Sequence, residues 1–89
     1  MPRPYYFKPP FLNLNNYEFN LDIVSIISKR LAKKHNIIAL DTFGKILTIG
    51  MVNVNYTLIE KLEKKFKLTI LPYQVTEKEL TVALTECYQ

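Results

Sequence analysis

The chain is short of most residues that carry chemistry. It has one cysteine, Cys87, one histidine, His35, two glycines and no tryptophan among 89 residues. A lone cysteine forms no internal disulfide, which fits a reducing compartment. With one histidine, a metal site would have to be built mainly from carboxylates. Phosphate-cradling loops place glycines directly ahead of a helix, and neither Gly44 nor Gly50 does so, which excludes a nucleoside triphosphate site of that kind. Long apolar runs are missing as well. Thr48 and Gly50 interrupt residues 46 to 52, and a membrane span needs about 20 apolar residues. Residues 1 to 10 contain Arg3 and Lys8, but no apolar stretch of signal-peptide length follows them. The expected location is the cytoplasm.

What is present describes an ordinary folded domain. Hydrophobic residues make up 48% and charged residues 22%, a balance that argues against disorder. A chain of this length makes one domain that buries roughly 60 to 65 per cent of its unfolded surface. The net charge of +4 comes from two clusters, Lys29-Arg30-Lys33-Lys34 and Lys61-Lys64-Lys65-Lys67, while Glu77, Glu79 and Glu86 make the last segment acidic. Such an imbalance attracts an acidic protein face, an anionic membrane surface or a nucleic-acid backbone. Aromatics near lysines resemble a nucleic-acid surface. Against that reading, Phe66 belongs to a core face, and Glu60 and Glu63 interrupt the second cluster. Lys29, Arg30, Lys33 and Lys34 are therefore the candidate surface for an acidic partner.

Four prolines at positions 2, 4, 9 and 10 make residues 1 to 10 a flexible, proline-rich lead-in, with one domain over residues 11 to 89. Residues 11 to 15 alternate weakly and read as a short edge strand. An unbroken helix over residues 21 to 35 would set Arg30 and Lys34 in the apolar stripe of Ile23, Ile27 and Leu31. Burying unpaired cations is costly. The conflict disappears if Asn20 caps a short first helix and Ser28 caps a second that runs to about His35.

Ile37 to Leu40 reads as a strand, Asp41 to Gly44 as a turn, and Lys45 to Val52 as a second strand in a hairpin. Gly50 allows close packing there. Thr57-Leu-Ile-Glu60 has the capping-box pattern of a helix start, with Leu58, Ile59, Leu62 and Phe66 on one face. Leu68 to Leu71 follows as a strand closed by Pro72. Thr76-Glu-Lys-Glu79 then opens a last helix whose Leu80, Ala83, Leu84 and Cys87 share a face. The order is αα-ββ-α-β-α, an α/β (α+β) fold with a small three-stranded mixed sheet packed with helices. The strands joined through a helix run parallel. The carboxylates fall on solvated faces or at caps, so no enzymatic activity, cofactor or metal is expected.

Several segments carry a family resemblance. Pro10-Phe-Leu-Asn-Leu14, Leu31-Ala32, Ile38-Ala-Leu40, Leu47-Thr-Ile-Gly-Met-Val-Asn53 and Ala83-Leu84 with Tyr88 occupy the places of a family pattern. From about Pro10 to Tyr88 the chain resembles the N-terminal domain of type II secretion and type IV pilus assembly ATPases, the general secretion pathway protein E N-terminal domain family. Ser28 stands where the family often has a helix-starting proline, Val54 where a proline follows the signature strand, and Lys67 where glycine is common. The resemblance implies a cytoplasmic docking domain that couples a motor ATPase core, in the same or another chain, to the cytoplasmic part of an inner-membrane platform protein. The alternative is a small nucleotide-binding or nucleic-acid-binding module. Some relatives bind cyclic di-GMP through two long motifs that begin R-L-G and end in glutamine. Neither motif is present, which speaks against that ligand.

Overall fold

Residues 9–88 are described by the structure, a computed structural model. Residues 1–8, most of the expected lead-in, lie outside them. The elements follow the expected order: helices α1 (Leu21–Val24) and α2 (Lys29–His35), strands β1 (Ile37–Phe43) and β2 (Ile46–Met51), helix α3 (Tyr56–Phe66), strand β3 (Thr69–Gln74) and helix α4 (Glu77–Cys87). The sheet is ordered β1-β2-β3. β1 pairs antiparallel with β2, and β2 pairs parallel with β3.

The helix break falls where charge burial requires it. The Asn20 side chain accepts from the Asp22 amide, and the Ser28 side chain accepts from the Leu31 amide. Arg30 and Lys34 are left exposed while Ala32 is buried. The Tyr88 hydroxyl lies 2.8 Å from the Val24 carbonyl and 2.6 Å from that of Ile27, so the end of α4 donates to both carbonyls flanking the break. Burial raises the Tyr88 pKa, with the neighbouring Cys87 as a smaller cause.

The hairpin is tighter than the sequence reading. Asp41, Thr42 and Phe43 continue β1 and pair with Thr48, Leu47 and Ile46. The loop shrinks to Gly44 and Lys45, with Gly44 at φ +59°, because a two-residue hairpin loop with positive φ at its first position is met most cheaply by glycine. The register shifts between Ala39 and Asp41. The Leu40 carbonyl at this bulge accepts from the Tyr17 hydroxyl at 3.1 Å.

Pro72 sits inside β3 instead of closing it. Thr69 and Val75 donate to Lys45 and Met51, so alternate amides of β3 face β2. Those of Ile70, Pro72 and Gln74 face away, and a proline there loses no ladder bond. The Ile70 amide donates to the Glu63 carboxylate at 2.9 Å. The Gln74 amide donates to Pro10, and Leu12 donates to Gln74. The expected edge strand at residues 11 to 15 is thus a single parallel bridge, Phe11 with Gln74.

The core is continuous around the sheet. Leu47, Ile49 and Met51 are inaccessible to solvent on one face of β2. On the other face, a methyl-sized group at Gly50 would lie 3.1 Å from Val75, so Gly50 admits the chain that follows β3. Toward the hairpin end this second face is open, and Phe43, Ile46 and Leu71 are exposed. Cys87 is half-buried, and burial raises its thiol pKa, followed by the Glu86 charge.

Two predictions follow from this packing. Tyr88→Phe removes a donor shared by two part-buried carbonyls and should cost about 1 to 2 kcal/mol, read as a lower urea midpoint with unchanged slope. Lys67 ends α3 in the left-handed region at φ 57°, ψ 41°, a conformation that disfavours side chains with a Cβ. Lys67→Gly should raise stability by about 0.5 to 1 kcal/mol, net of the greater freedom glycine gives the unfolded chain. A lower melting temperature for this variant would contradict that assignment.

Candidate functional site: a basic groove between two helices

α3 starts earlier than the capping-box pattern implies. The Asn55 side chain accepts from the Leu58 amide at 3.2 Å, so Asn55 is the N-cap and Thr57 lies in the first turn. Asparagine is the better cap of the two, and the Thr57–Glu60 pattern competes with it unsuccessfully. At α4 the Thr76 side chain does accept from the Glu79 amide. The Glu79 carboxylate turns elsewhere, accepting from the Leu14 amide at 3.0 Å.

The placement of α3 opens a groove of about 390 Å³ against α2. From α2 come Leu31, Lys34 and His35, three positions on one helical face. Across the groove, Thr57, Lys61 and Lys65 recur every fourth residue as a stripe of α3, beside Leu58 and Leu62. Asn55 also lines the groove. No carboxylate is among the lining residues. The Lys65 ammonium lies 5.9 Å from the centre of the Phe66 ring. Glu63 is engaged with the backbone of β3, and the first turn of α3 has no acidic residue.

Of the four cations expected to form the surface, only Lys34 lines this groove. Lys29, Arg30 and Lys33 are exposed elsewhere on α2. Part of that cluster has a local task, since Lys33, Lys34 and His35 occupy the last turn of α2, where positive charge suits the helix dipole. The groove adds His35, Lys61, Lys65, Asn55 and Thr57. The four-residue spacing within α3 is visible in sequence, whereas its apposition to α2 is tertiary.

A second hollow of similar size lies between the residues before α1 and α4. It is lined by Glu79 and Glu86 with Asn15, Tyr17 and Val82. Its carboxylates repel anions, so the two hollows differ in charge sign. Among the described residues no group of three or more His, Cys, Asp or Glu side chains could hold a metal ion. Among the same residues no helix is long and apolar enough to cross a membrane.

A small α+β domain with a cation-lined groove is the class this geometry defines. The MshEN domain model matches residues 7–89, and the chain belongs to that family, the N-terminal domains of secretion ATPases. The fold is similar to the solved structure of MshE with cyclic di-GMP (cdg), at a TM-score of 0.81 and 18% identity over 90% of this chain. The chain spans 59% of the length of that structure's chain. No curated protein sequence matches it.

This likeness corrects the functional expectation. The protein that shares the fold is described with a cyclic dinucleotide and not with an inner-membrane platform. The nucleotide alternative therefore replaces platform docking as the leading reading.

Asn55→Ala should lower stability by about 1 kcal/mol through loss of the cap. Helical content by circular dichroism at elevated temperature checks this. An unchanged melting curve would show that Thr57 can take over the cap.

Proposed function

We propose that this chain is a non-catalytic regulatory module of a secretion or pilus motor, and that its ligand is cyclic di-GMP. The observation that carries the reading is the fold shared over 90% of the chain with MshE with cyclic di-GMP. The family match to the N-terminal domains of secretion ATPases supports the connection to a motor. The module acts in the cytoplasm beside an ATPase core in the same or another chain.

Charge and chemistry fit this role. A cyclic dinucleotide carries two phosphodiester anions, and the chain has an excess of four positive charges. Cys87 is held toward its thiol form by burial, and thiols are far weaker nucleophiles than thiolates. The R-L-G motifs used by some relatives do not occur in this sequence, so contacts to the ligand come from other residues.

Calorimetric titration of the full chain with cyclic di-GMP at about 50 mM salt should give saturable binding that weakens as salt rises, because lysine–phosphate pairing releases counterions. Absence of binding at low salt overturns the proposal.

A further inference from the structure

We infer that the α2–α3 groove is a phosphate-binding site, with Lys34 reaching a phosphate from one wall and Lys61 and Lys65 from the other. The inference rests on the reading above for the identity of the ligand, although the chemistry of the site stands apart from it. Three lysines and His35 face one open groove with no carboxylate in its lining. The three ammonium groups repel one another, and an anion placed among them removes that repulsion. Lysine suits the task because its ammonium is a compact charge on a flexible stem with three donors. Thr57 adds a hydroxyl at the same wall, while Leu31, Leu58 and Leu62 give an apolar floor for the sugar or base beyond the phosphate. The volume of about 390 Å³ lies in the lower part of the roughly 300–1,000 Å³ range of small-molecule sites. An open groove of this size seats a phosphate with its adjoining group and leaves the rest of a larger ligand in solvent.

The site also has a mechanical consequence. α2 has seven residues, too few for stability without tertiary contacts. A phosphate bridging Lys34 to Lys61 and Lys65 ties this short helix to the longer α3. Ligand binding then protects the amides of α2 from exchange.

Phosphate in this chemistry comes from a free nucleotide or from a lipid headgroup, and the test separates them. Cyclic di-GMP, inorganic pyrophosphate and phosphatidylglycerol vesicles are each titrated into the wild-type chain, into Lys34→Glu/Lys61→Glu, and into Lys29→Glu/Lys33→Glu. The two variants change net charge equally, and the second lies outside the groove. The expected result is binding weakened about 10-fold or more in the groove variant, from loss of two charge-assisted contacts, and a several-fold smaller loss in the control, whose charges act on the ligand only through solvent and fade as salt rises to about 150 mM. Equal losses in both variants, or full binding by the groove variant, overturn the site. Groove-dependent binding of pyrophosphate or vesicles with no response to cyclic di-GMP overturns the proposed ligand and keeps the site. Binding of no probe by the wild type overturns both. Amide chemical shifts of the wild-type chain with pyrophosphate need no variant. They should move at Lys34, His35, Thr57 and Lys61, and shifts confined to other residues overturn the assignment.

Discussion

Four consecutive residues of an outer strand, Ile37, Ile38, Ala39 and Leu40, are buried. Successive side chains of a strand point to opposite faces, so this run must be covered on both sides. That requirement organises the domain. α1, α2 and α4 all contact β1, while α3 packs against β3 at the far side of the sheet. Fully burying each large aliphatic side chain contributes roughly 1.5 to 3 kcal/mol. The break between α1 and α2 lets the first part of the chain serve this core while its cations stay wet. Tyr88 secures the break from the opposite terminus.

Much of this architecture was legible because local rules agree with global packing. The charge conflict at Arg30 and Lys34 located the Ser28 cap, and the glycine at position 44 marked the hairpin. The helical insertion between β2 and β3 implied their parallel pairing. Errors arose where a residue's meaning depends on a neighbour distant in sequence. Pro72 reads as a strand terminator until Pro10 and Glu63 show that its side of β3 is an outer edge. Asn55 is masked in the sequence because the motif at Thr57 to Glu60 satisfies the same local rule. Lys67 departs from a family glycine, and its left-handed backbone shows that the departure kept the conformation and replaced only the residue.

The site was less legible than the fold. Lys29, Arg30, Lys33 and Lys34 form a dense run in sequence, but a helix distributes such a run around its axis, and only Lys34 turns toward α3. Charge density along a chain is therefore a poor guide to charge density in space. The spacing of Thr57, Lys61 and Lys65 is the better signal, and it becomes a wall because α3 faces α2 across the groove. The family pattern placed the chain correctly, while the role inferred from it did not hold. Family membership constrains the backbone more tightly than it constrains what binds there.

The outer side of β3 has a further meaning. An unpaired strand edge is a template on which another chain can grow. Here one donor is absent by chemistry at Pro72, one is occupied by a carboxylate, and one is spent on the chain's own start. A neighbouring molecule meets no ladder of free amides on that side. The domain can therefore be concentrated with that edge closed to the strand-by-strand growth that seeds fibrils.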